Sequence, residues 1–180
     1  MAGEVATRVL KYYLRAVMAG DYFVWAEGLA RLRQAGYVMK WDDYFMGLAH
    51  AAAAKSKDPS TQVGAVIVDS DRRIVSVGFN GPPRGTDDDY AYSNREFKLL
   101  RVLHAEENAI LFAGRSLRDC CIYVTHHPCA HCAAVIVQAG IRNVFHPPVP
   151  ADFTNRWYDQ INEAQGMFRE AGVSREVIWP

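Results

Sequence analysis

Apolar residues at positions 5, 9, 13 and 17 (Val5, Val9, Tyr13, Val17) recur every four residues, with Arg8, Lys11 and Arg15 lying between them. This spacing predicts an amphipathic helix. Asp21 is placed to cap a second helix carrying Trp25, Leu29 and Leu32 before Gly36, so residues 1–38 read as a helical hairpin ahead of the main domain. A further helix is expected over Trp41 to Ala54, opened by Asp42 and closed before the breaker Asp58-Pro59. The period then changes. Val63 to Val68 is a short apolar run, Asp69 to Arg72 is turn-like, and Ile74 to Phe79 alternates up to Gly81-Pro82-Pro83, which together predict a hairpin.

Gly85 to Leu100 is polar and acidic and reads as a long irregular binding loop. Beyond it the pattern alternates: a helix from His104 to Ala113, a strand from Cys121 to Thr125, a helix from Cys129 to Gln138 and a strand from Arg142 to His146. Gly114 and Gly140 stand where C-terminal caps belong. After a proline-stiffened linker, Trp157, Ile161, Ala164 and Phe168 mark one face of a last helix, and Val173 to Trp179 a final strand. The expected architecture is a three-layer α/β/α domain over residues 39–180, with a central mixed sheet of about five strands and a helical extension at residues 1–38.

Composition narrows the chemistry. The 180 residues carry 20 Lys+Arg against 20 Asp+Glu, so no whole-chain field draws the protein to nucleic acid. The first twenty residues, with Glu4, Arg8, Lys11 and Arg15, lack the apolar run of a secretory signal, and the expected location is the cytoplasm. Cys120 to Ile141 holds no Asp, Glu, Lys or Arg, yet it contains Pro128, Thr125, Gln138 and three His. A bilayer would have to solvate those groups, so a buried strand, turn and helix fit better than a membrane span. All four cysteines (120, 121, 129 and 132) fall in this one stretch, which points to metal rather than to a disulfide framework.

Pro128-Cys129-Ala130-His131-Cys132 opens a predicted helix, with Pro128 at its first position and two thiols three residues apart on one side. The partial positive charge of a helix start favours thiolate, the form that binds metal. Zinc requires a third ligand, and a catalytic site keeps the fourth position for water. His104 is the candidate third ligand, and Glu106, two residues on, is the candidate proton shuttle if both sit in the first turn of their helix. Cys120 and Cys121 are read as packing residues and His50 as a packed or surface histidine. Arg95 and Lys98 are candidates for a 5′-phosphate, Arg95 being better suited to bidentate contact; the competing reading is solvated surface charge. The Asp87-Asp88-Asp89 run reads as a solvated loop, with Mg2+ beside a nucleotide effector as the alternative.

The pairing of His-x-Glu with Pro-Cys-x-x-Cys is the known signature of zinc nucleobase deaminases. His104 to Leu111 (HAEENAIL), Thr125 to Cys132 (THHPCAHC) and Gln138 to Ile141 (QAGI) together resemble the deoxycytidylate (dCMP) deaminases; Lys57 to Ala65 (KDPSTQVGA) and Gly78 to Gly81 (GFNG) look like early segments of the same family. The resemblance covers about residue 39 to the C-terminus and implies a cytidine-deaminase-like fold and zinc-dependent hydrolysis of dCMP to dUMP and ammonia. It further implies zinc held by His104, Cys129 and Cys132, proton transfer by Glu106, a sugar contact from Asn80 and a base contact from the backbone at Ala105. By the same resemblance the chain forms a homo-oligomer, commonly a hexamer, and responds to dCTP and dTTP through Gly81 to Asp89. Other cytosine nucleotides, including dCTP and 5-substituted dCMP, are rival substrates. A tRNA adenosine deaminase is disfavoured by charge neutrality and by the Asn108-Ala109-Ile110 context, and a non-catalytic nucleotide sensor by the intact Glu106.

Overall fold

The computed structural model describes residues 38–149 and 151–178. The predicted hairpin over residues 1–38 therefore lies, but for Val38, outside the described residues. In chain order the elements are α1 (Trp41–Ala53), β1 (Gly64–Val68), β2 (Ile74–Phe79), α2 (Asp88–Tyr92), α3 (Arg95–Arg101), α4 (Ala105–Phe112), β3 (Cys121–Val124), α5 (Ala130–Gln138), β4 (Asn143–His146), α6 (Ala151–Glu170) and β5 (Ser174–Val177). The five strands form one mixed sheet in the order β2-β1-β3-β4-β5. β1 pairs antiparallel with β2 and β3, while β3, β4 and β5 run parallel to one another.

Alternation along β1 divides the core between the two faces of this sheet. Ala65 and Ile67 point to one side, where they join Ala105, Ala109, Ala133, Ile136, Ala164 and Phe168 from α4, α5 and α6. Val66 and Val68 point to the other side, toward Phe45, Met46 and Ala49 of α1 and the ring pair Tyr123–Phe145, stacked at 4.4 Å. The result is the expected three-layer α/β/α arrangement. Among the described residues no helix is long and apolar enough to cross a membrane, and Cys120 to Ile141 is a strand, a turn and a helix.

Two glycines let helices lie directly on the sheet. A Cβ built on Gly64 would stand 1.9 Å from the Ala49 carbonyl oxygen of α1, and one on Gly78 would stand 2.2 Å from that of Ala105 and 2.4 Å from the Ala109 nitrogen of α4. Backbone cannot yield as a flexible side chain does, so Gly78→Ala is expected to push α4 off β2 at a cost of about 3 kcal/mol or more, the upper end for overpacking. Urea unfolding of the variant checks this; an unchanged midpoint would contradict the packing.

Several boundaries and one whole segment differ from expectation. Gly85 to Leu100 is not an irregular loop: it holds α2 and most of α3. Asp87 and Asn94 cap these helices by accepting the N–H groups of Tyr90 and Phe97, so the polar residues that look like loop composition are helix starts. Asp42 does not cap α1; it lies in the first turn after Lys40 and accepts the Tyr123 hydroxyl at 2.7 Å. Pro128 precedes the capping residue of α5 instead of occupying its first helical position, because Cys129 itself is the cap. Gly114 and Gly140 have the positive φ, 63° and 81°, that the end of a helix requires of its terminating residue.

Candidate active site

Two helix starts converge beside the sheet. His104 is the N-cap of α4, in extended conformation, so Glu106 falls in the first turn and can share a site with it. The approach to His104 is held by a two-bond bridge between Gly81 and Leu103, at 3.1 and 3.0 Å, which fastens it to the end of β2. Cys129 is the N-cap of α5, and its Sγ accepts the Cys132 N–H at 3.5 Å. His104 Nδ1 stands 3.5 Å from Cys129 Sγ and 3.2 Å from Cys132 Sγ. All three donor atoms lie within 4.8 Å of one another, and among the described residues this is the one group of three donors so arranged.

The donors share hydrogen bonds in a way that fits a cation. Hydrogen bonding from Cys132 and His104 pulls the Cys129 thiol down to about 4, while the His104 imidazole, bonded to that sulfur, is raised to about 9. The Cys132 thiol is pushed up, first by its bond to Cys129 and then by burial. One imidazole and two sulfurs within 4.8 Å of one another are the donor set of a zinc site with one position left for a non-protein ligand.

Glu106 is 4% exposed, and burial raises its carboxyl to about 7 against the opposing pull of the His104 charge. A carboxyl poised near neutrality both takes and returns a proton, which is what a shuttle requires. His50, also facing the cavity, is lowered to about 4 by burial and by His126, so it is a packed neutral histidine. Cys120 is buried, and Cys121 accepts a hydrogen bond from Asn143 at 3.3 Å.

A cavity of about 960 Å³ opens over these groups. Asn80 and Ala105 both line it, but the Asn80 side chain is occupied within the protein. Its Oδ1 accepts the Val63 N–H at 2.8 Å, and its Nδ2 donates to Thr61 O at 2.9 Å and to Asp58 Oδ2 at 3.1 Å. Asp58, with a side chain 1% exposed, in turn holds Lys98 at 2.7 Å. Lys98 is thus a partner of a buried carboxylate, and both it and Arg95, at the start of α3, line the cavity. Lys57 and Asp88 pair at 2.5 Å, so this acidic residue is engaged with a lysine.

Asp58, Trp157 and Gln160 are cavity-lining groups that sequence reasoning missed. Trp157 sits where α6 breaks its helical geometry, and Gln160 accepts the Ala130 N–H of α5 at 3.3 Å. Asp58 lies in the Lys57–Ala65 segment, whereas no local pattern marks Trp157 and Gln160, which reach the cavity from α6 as it packs on α5.

Comparison with known proteins places this geometry among enzymes. Residues 39–146 match the model of the cytidine and deoxycytidylate deaminase zinc-binding region. An uncharacterized deaminase from the luxG 3′ region of Aliivibrio fischeri is 53% identical over 142 residues, 79% of this chain and 95% of that protein. Human deoxycytidylate deaminase is 37% identical over 151 residues, 79% of this chain and 82% of that protein. Among solved structures, the dCMP deaminase of cyanophage S-TIM5 in complex with dCMP and dUMP aligns with a TM-score of 0.59 and 28% identity, over 78% of this chain and all of that one.

Proposed function

We infer the reaction from one premise: this chain belongs to the cytidine and deoxycytidylate deaminase family. It hydrolyses dCMP to dUMP and ammonia, supplying dUMP for thymidylate synthesis. The observation that carries the reading is a buried carboxyl, Glu106, beside a His-Cys-Cys donor group, with His104, Glu106 and Cys129 lining a cavity. His104, Cys129 and Cys132 hold zinc. When bound, the ion supplies Lewis acidity that brings the pKa of water to about 7. Glu106 takes a proton from water and delivers it to N3 of the cytosine ring as the water oxygen bonds to C4; it then carries the proton of the new C4 hydroxyl to the amino group, so that the C4–N bond breaks and ammonia leaves. Replacing the amino group of C4 by oxygen then balances as dCMP plus water giving dUMP plus ammonia.

Ala105, at the first position of α4, presents its backbone to the base, and Arg95 takes the 5′-phosphate. Asn80, with both Nδ2 hydrogens engaged, holds the residue 58–63 loop in place, and its Oδ1, which accepts one bond from Val63, has a second lone pair to accept a sugar hydroxyl. The reading extends to a cytoplasmic homo-oligomer, a hexamer by family resemblance, with dCTP and dTTP as effectors and Mg2+ accompanying them.

Ammonia release measured side by side on dCMP, CMP, dCTP, deoxycytidine and 5-methyl-dCMP, with and without added dCTP, tests this. dCMP is expected to give the highest kcat/KM; a higher value for dCTP or 5-methyl-dCMP would reassign the substrate.

A further inference from the structure

Glu107 has no part in the reaction just described, yet it bonds to the backbone of His104 and to His131, which lies between the two cysteines. It is the third residue of α4. Its Oε2 accepts the backbone N–H of His104 at 2.8 Å. Its Oε1 meets Nε2 of His131 at 2.9 Å. His131 lies in the first turn of α5, between Cys129 and Cys132. A single carboxylate therefore spans from the residue that presents the imidazole to the turn that presents both thiols. The Glu107 side chain is 17% exposed against 69% for His131, so the carboxylate is sheltered and its partner lies at the rim.

We propose that Glu107 is a positioning residue: with His131 it clamps the start of α4 to the start of α5 and so sets the spacing of the three donors. The proposal rests on the zinc-site reading above and adds a residue to it. Two independent helices bring the ligands together, and both contribute small side chains to their shared core, Ala105 and Ala109 from α4 and Ala133 from α5. A two-point hydrogen-bonded bridge at the mouth ties the two helix starts to each other directly. Partners that orient metal ligands change metal affinity by about 10–100-fold when lost.

The test uses the full-length zinc-loaded protein and follows zinc release to a chromophoric chelator. Glu107→Ala is expected to release zinc about 10–100-fold faster. His131→Ala should reproduce part of that acceleration, and the double variant should be no faster than Glu107→Ala alone, because the two act through one link. Glu107→Gln, which keeps an acceptor for His104 and gains a donor for the ring, should restore slow release. A residue that merely stabilised α4 would lower the melting temperatures of zinc-loaded and zinc-free protein equally, whereas the clamp narrows the difference between them. Should Glu107→Ala fail to fold, the exposed His131→Ala still decides. Wild-type protein that holds zinc while the variants release it at the wild-type rate, or additive effects in the double variant, overturns the clamp. Wild-type protein that takes up no zinc overturns the zinc-site reading beneath it, and the clamp with it.

Discussion

Glu106→Gln is expected to lower kcat on dCMP by about 10²–10⁴, the range that a positioned acid–base group contributes. The substitution keeps shape and hydrogen-bonding reach but cannot carry the proton. Zinc content and KM should stay close to wild type, because Glu106 is not among the three donors. A kcat within tenfold of wild type would remove the assigned role. Stability should move the other way. Burial raises the folded-state carboxyl from 4.5 to about 7, so between those values the folded protein holds more protons than the unfolded chain and loses stability as pH rises. Gln escapes that penalty, and the zinc-free variant should be more stable than zinc-free wild type at neutral pH by up to about 3 kcal/mol. Paired melting curves measure it.

Cys132→Ala should abolish activity by a different route, through the loss of zinc. Only His104 and Cys129 remain as donors, and affinity should fall by more than about 100-fold, the upper end of what losing an outer partner alone costs. Cys132 is fully buried in a small-residue layer, so the void left by one sulfur should cost only about 1 kcal/mol in the zinc-free protein. Metal analysis after gel filtration, together with zinc-free melting curves, separates the two effects. A variant that keeps stoichiometric zinc would show that Cys132 is not a ligand.

The order of elements was legible because the hydrophobic period changes cleanly along the chain. The run Val63 to Val68, the alternation of Ile74 to Phe79 and the Ile161-Ala164-Phe168 face all became what their spacing predicts. Gly85 to Leu100 misled because Asp87 and Asn94 look the same in composition whether they sit in a loop or cap a short helix; only the hydrogen bond each makes decides. Asn80 was read from family resemblance as a sugar contact, and the fold gives its amide three protein partners from a loop some twenty residues earlier in the chain.

The sequence alone determined the donor types, their spacing and the carboxyl two residues from the histidine. Those are properties of single turns, written within a few residues of one another. Tertiary packing decided the rest. The residue 104 and residue 129 segments meet because Gly78 lets α4 lie against β2, and α5 follows on the same face of the sheet. The proton affinity of Glu106, the pairing of Lys98 with Asp58, the bridge from Glu107 to His131 and the wall contributed by Trp157 all join residues far apart in the chain. Desolvation and charge act through space, so they exist only once the layers have closed around these groups.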